Sequence, residues 1–271
     1  MVDLSGIDWN DAFANGAYIP DGMSYPPRWA TQAADFRDRA AGQPDLSYGD
    51  DPRERYDLFL PEAHPKGLVV FVHGGYWLDF DKSSWSHLAG GPLHHGWAVA
   101  LPSYTLAPAA TIPQITAQIG RAITIAATHI SGPIRLVGHS AGGHLVSRMA
   151  CDDTPLPDSV ASRVQHVLSI SGLHDLRPLQ MTEMNAQLGL DRESAASESA
   201  ALHKPLPGTK LTAWVGGNER PEFLRQSALL VENWTRAGAI GTLAVEPARH
   251  HFNVIDGLAD PDSAMTQQLL A

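Results

Sequence analysis

Cysteine is almost absent: Cys151 is the one thiol in 271 residues, so no internal disulfide can staple the chain, and stability must come from a buried core. Positive charge is scarce as well. Nineteen Lys and Arg face 29 Asp and Glu, a formal net charge of −10, which leaves no basic surface to displace counterions from nucleic acid and disfavours anionic membranes. No apolar run approaches the roughly 18 residues of a transmembrane helix. The opening MVDLSGIDWN lacks the basic-then-apolar pattern of a secretory signal, and a cytoplasmic protein is the expectation. No Gly/Ser linker, charge block or internal repeat marks a boundary, so residues 1–271 are read as one domain. With 44% hydrophobic residues and 18% charged, the chain can bury a large core.

Apolar strands and amphipathic segments take turns along it. After a polar, Pro-rich opening, a helix is expected at Ala30–Arg39, then a half-buried strand in RYDLFLP, where Tyr56, Leu58 and Leu60 alternate. Continuous apolar runs at 67–73, 97–102, 133–138, 164–170 and 210–217 read as buried strands, and 242–246 as one more. Helix-like stretches lie near 83–95, 111–130, 141–151, 221–238 and 261–270, with Pro221 suited to a first helical turn. Such alternation predicts an α/β fold, a mainly parallel sheet covered by helices on both faces. Residues 174–206 are too long for a bare loop and rich in helix formers; they are expected to form a small helical cap insertion over the sheet's carboxyl edge, where open α/β sheets bind ligands.

The stretch GHSAGGH (138–144) sits between one of these strands and one of these helices. Gly-x-Ser-x-Gly in that context is a nucleophile turn, which lifts Ser140 clear of the sheet, lets strand and helix approach at the glycines, and starts a helix beside any developing anion. A serine hydroxyl needs a general base. His139 and His144 are expected to pack, whereas His250 and His251, in ARHHFNVIDGL after the last strand, fall at the sheet's carboxyl end. HGGYW (73–77) follows an early strand at the place of the first oxyanion-donor loop, which makes Gly75 and Tyr76 the expected backbone donors, with Gly74 an alternative, and Ala141 the donor after the nucleophile. Tyr76 and Trp77, with Met181 and Met184 of the insertion, either line an apolar pocket or belong to the core. Neither His94–His95 nor His250–His251 has a carboxylate or cysteine at ligand spacing, so no metal is expected. The acid that orients the base is Glu219 or Asp175; triad order and loop position favour Glu219, and Glu222 is expected to be structural.

HGGYW together with GHSAGGH resembles the α/β-hydrolase kynurenine formamidases (arylformamidases), close to the hormone-sensitive-lipase-like esterases. LSYGDDPRERYDLFLP, SGLHDLRPL, GGNERPEFLRQS and HHFNVIDGL extend the likeness over most of the chain from about Leu46. The resemblance implies a serine hydrolase without a cofactor, with His251, the histidine immediately before the phenylalanine, as base and with a formamide of an aryl amine as substrate. It departs at one point, since the family usually has aspartate where this chain has Glu219. A short-chain esterase or thioesterase using the same residues is the rival reading, and a non-catalytic binding protein on the same scaffold is a third. A small acyl amide or ester is the expected partner, and a homodimer is left open.

Overall fold

The computed structural model describes residues 6–271. One eight-stranded sheet runs in the order β1-β2-β4-β3-β5-β6-β7-β8. Its strands are β1 (Gly42–Ser47), β2 (Arg55–Phe59), β3 (Leu68–Val72), β4 (Ala98–Pro102), β5 (Ile134–His139), β6 (Val164–Ile170), β7 (Lys210–Gly216) and β8 (Ile240–Glu246). The first two pair antiparallel with their neighbours, and every pair from β4 to β8 is parallel. β3, β4 and β5 are buried along their whole length, as strands covered on both faces must be, which is why β3 and β4 read as unbroken apolar runs.

β1 has no counterpart in the sequence reading. GQPDLS is composed of weak strand formers, and the edge position is what admits Pro44. Its register slips between Gln43 and Leu46, and Lys82 ties it down by reaching Asp45 and Asp57 at 2.7 Å each. The helix expected at Ala30–Arg39 runs from Tyr25 to Arg37, with prolines in its first turn. The stretch near 83–95 breaks into two 3₁₀ turns and the short helix Gly90–His94. Helix Ile112–His129 starts on a capping box in which Thr111 and Gln114 exchange hydrogen bonds.

The 174–206 insertion is helical, in four short pieces. It leans on helix Pro221–Arg236, where Trp234 Nε1 and Asn233 Nδ2 donate to the carbonyls of Ala200 and Ala201 at 2.9 Å.

At the centre, β5 passes through Ser140 into helix Ala141–Arg148. Ser140 has φ 56° and ψ −118°, a conformation that costs about 1–3 kcal/mol and persists only where the surroundings impose it. The Ser140 N–H donates to Ile170 O at 2.8 Å. A Cβ on Gly142 would sit 1.9 Å from the Val72 carbonyl oxygen, so only glycine lets the helix lie this close to β3. We therefore expect Gly142→Ala to cost about 2 kcal/mol or more, read as a fall of several degrees in melting temperature; an unchanged melt would refute the close approach.

Four histidines are buried around this junction: His73, His139, His144 and His174. Burial holds His73 at about 4 and His144 and His174 at about 3, and pushes His139 well below the ordinary value. Unfolded, each titrates near 6.5. The unfolded chain therefore binds more protons between about pH 4 and 6.5, and stability falls as pH drops through that window. Between pH 7.5 and 5.5 each histidine contributes a loss of up to about 1.4 kcal/mol. The urea midpoint should drop markedly over that interval, and a flat midpoint would contradict burial of neutral imidazoles.

Candidate active site

Ser140 opens into a cavity of about 200 Å³ at the carboxyl edge of the sheet, together with His139, His251 and the aromatic side chains of Trp29, Phe80, Trp85 and Phe252. The turn does not expose the serine as its position in the motif suggested. Ser140 is 2% exposed, because residues of the N-terminal segment, Asn15, Gly16 and Trp29, roof the cavity.

His251 enters from the loop after β8. Its Nδ1 lies 2.7 Å from Glu219 Oε2, and since a carboxylate only accepts, Nδ1 carries the proton and Nε2 is left with a free lone pair. The Glu219 side chain is fully buried, and its other oxygen, Oε1, accepts from Ser171 Oγ at 2.5 Å and from Gly216 N at 2.8 Å. Asp175 does not approach the histidine; it forms a two-pronged pair with Arg177 at 2.8 Å. Glu222 pairs with Arg225 and Gln226 on its own helix, the structural place expected of it.

The imidazole of His139 packs 4.7 Å from that of His251, and its Nε2–H donates to the His251 carbonyl at 2.9 Å. His144 lies on the far side of the turn and donates to Glu198 O at 2.8 Å. His250 serves the roof. Its Nδ1 accepts the Phe252 N–H, so Nε2–H is directed to Tyr25 Oη at 3.0 Å, which ties the N-terminal helix to the histidine loop.

The HGGYW loop presses against the turn at Ser140. A Cβ on Gly74 would lie 2.9 Å from the Ser140 Cβ, and Gly75, Tyr76 and Trp77 follow with φ of 105°, 51° and 59°, a left-handed run that turns successive amides the same way. Gly75 and Tyr76 line the cavity, and Ala141 is the first residue of the helix after Ser140. Among the described residues, the N–H groups of Gly75, Tyr76 and Ala141 meet no hydrogen-bond acceptor. The Tyr76 hydroxyl donates to Phe13 O at 2.6 Å and accepts from Asn15 Nδ2 at 3.4 Å.

The structure decides between pocket and core for these residues and corrects the expected place of the insertion. Trp77 is fully buried and packs edge-on against His144, so it belongs to the core. Met181 is 60% exposed, and Met184 packs on the core. The insertion does not cap the cavity: its residues supply none of the lining, because it rests on helix Pro221–Arg236 and leaves the opening to the N-terminal segment. The density of aromatic residues in that polar, Pro-rich stretch, Trp9, Phe13, Tyr25 and Trp29, was the available signal, since rings there need a surface to cover.

Among the described residues one group has metal-ligating character, Asp152, Asp153 and His203, near the surface; neither histidine pair belongs to it, and Arg148 already holds Asp153 at 2.8 Å. Cys151 is fully buried and its thiol is pushed up to about 12 by burial. No helix of the described residues is long and apolar enough to cross a membrane.

The BD-FAE family model matches residues 56–211. Kynurenine formamidase of Salmo salar is 31% identical over 242 residues, with 83% of this chain and 80% of that protein covered. The Danio rerio enzyme of the same name is 29% identical over the same shares of the two chains. Among solved structures, a Silicibacter sp. protein provisionally described as a thioesterase superposes with a TM-score of 0.92 at 52% identity, covering 98% of this chain and 100% of that one. An esterase of Pyrobaculum calidifontis shares the fold with a TM-score of 0.72 at 15% identity, over 98% and 97% of the two chains. With an α/β-hydrolase sheet and this degree of likeness along most of its length, the chain belongs to the kynurenine formamidase family of hydrolases, next to the esterases.

Proposed function

We propose that the protein removes a small acyl group, formyl above all, from an aryl amine such as N-formylkynurenine, through an acyl-enzyme on Ser140. The observation that carries this reading is the joint opening of Ser140 and His251 onto one small cavity walled by aromatic rings. About 200 Å³ is below the usual range for drug-sized ligands, roughly 300–1,000 Å³, and suits one aromatic ring with a short acyl group. The curated relatives of the same name point the same way.

In this mechanism His251 Nε2 takes the Ser140 proton as Oγ attacks the carbonyl carbon. Glu219 keeps the proton of His251 on Nδ1 and stabilises the imidazolium that forms. The N–H groups of Gly75, Tyr76 and Ala141 receive the negative charge that develops on the carbonyl oxygen. His251 then gives its proton to the departing nitrogen, which matters because an anilide ion leaves poorly. Water, deprotonated in turn by His251, attacks the ester carbon, releases formate and returns the proton to Ser140. His139 supports this cycle by staying neutral beside an imidazole that must become charged, as its burial enforces.

A second reading is hydrolysis of short-chain esters or thioesters at the same site, favoured by the description of the 52% identical Silicibacter structure. The two separate in one assay, turnover of N-formylkynurenine against p-nitrophenyl acetate and butyrate. Formamide cleavage at a kcat/KM above that for the esters is expected; activity on the esters with none on the formamide would overturn the formamidase reading. Ser140→Ala should lower kcat by about 10³-fold or more with an unchanged melting temperature. Retained turnover in that variant would remove Ser140 from the mechanism.

A further inference from the structure

A glutamate has one more rotatable bond than an aspartate, so it orients a histidine well only if its carboxylate is itself held. In this site Oε2 of Glu219 faces His251 at 2.7 Å while Oε1 is gripped by two donors, Gly216 N–H at 2.8 Å and the Ser171 hydroxyl at 2.5 Å. The first donor is backbone that any residue would supply. The second depends on a serine.

Ser171 lies immediately past the end of β6, fully buried, with φ 50°. Glycine adopts that conformation with least cost, and the hydroxyl is what serine adds. The backbone around it is fixed from both sides. Ser171 N–H donates to Trp214 O of β7 at 2.7 Å, and the preceding carbonyl, Ile170 O, accepts the N–H of Ser140 at 2.8 Å. Two consecutive residues at the end of one strand thus touch both the nucleophile turn and the carboxylate. Ser171 is not among the residues that line the cavity, so it does not meet substrate.

We propose that Ser171 is a positioning residue for hydrolysis: its hydroxyl fixes Glu219 Oε1 and thereby aims Oε2 at His251. This rests on the assignment of Ser140, His251 and Glu219 made above. Without the hydroxyl, Oε1 keeps one donor, the carboxylate turns about its last bond, and His251 loses its aim at Ser140. Misplacement of a catalytic group by about 1 Å costs about 10²-fold in rate, and the loss falls on kcat because the cavity wall is untouched.

The test measures kcat, KM and melting temperature for Ser171→Ala, Ser171→Gly, Glu219→Gln and the double variant Ser171→Ala/Glu219→Gln. The substrate is whichever of N-formylkynurenine and p-nitrophenyl acetate the wild-type protein turns over faster. Both serine variants should lose about 10- to 100-fold in kcat with KM within about twofold, and the double variant should be no slower than Glu219→Gln alone, because the hydroxyl acts only through that carboxylate. Ser171→Gly carries the test if Ser171→Ala does not fold, since glycine relieves the left-handed backbone. Near-normal kcat in the serine variants beside a collapsed Glu219→Gln overturns the role of Ser171 alone. Losses that multiply in the double variant overturn it too, as they would mark an independent structural effect. A near-normal Glu219→Gln overturns the acid assignment itself and takes the role of Ser171 with it.

Discussion

The close approach of the Gly142 backbone to the Val72 carbonyl is the contact on which the site depends. It draws the helix after Ser140 down onto β3, forces the serine into a left-handed turn, and brings the HGGYW loop, which leaves β3, against that turn. The rest follows from strand order. β3, β5, β6 and β7 are parallel neighbours, so their carboxyl ends lie side by side. One contributes the glycine loop, the next the serine, the next Ser171, and the last leads to Glu219. A parallel sheet collects at one rim residues that the sequence keeps far apart, and holds them on its stiffest part.

The interior of the site is polar yet nearly uncharged. Burial keeps His73, His139, His144 and His174 neutral, and each finds a hydrogen bond through one ring nitrogen. Beside His251 the Glu219 carboxylate is fully buried and accepts from Gly216, Ser171 and His251. A buried carboxylate survives only with such partners, and His251 is the one imidazole among them.

Much of this was legible in the sequence because it is local. The strand-to-helix turn at Ser140, the glycine loop and the alternation of buried strands with amphipathic helices are written in contiguous residues, and the place of Glu219 after β7 follows from the order of parts along the chain. What was not legible depends on contacts across the fold. β1 escaped because its Pro and Asp are tolerated only by an edge strand clamped through Lys82. Trp77 was ambiguous because an aromatic residue beside a catalytic loop fits a pocket or a core equally well, and only packing against His144 decides. The roof of the cavity came from the N-terminal segment instead of the insertion, since no periodicity in a short segment tells which surface it will cover. Ser171 left no trace at all, for one hydroxyl aimed at one carboxylate 48 residues away has no pattern.

The stretch matched by the BD-FAE model, residues 56–211, contains Ser140 and its glycine loop but neither Glu219 nor His251, and none of the N-terminal roof. The cavity is therefore walled from two portions of the polypeptide, with Phe80 and Trp85 inside the matched stretch and Trp29 and Phe252 outside it. Tyr25 joins the two outer ends to each other through His250, so the roof and the histidine loop are held together. Likeness confined to the matched stretch therefore covers only part of the cavity wall, and the two outer ends of the chain supply the rest.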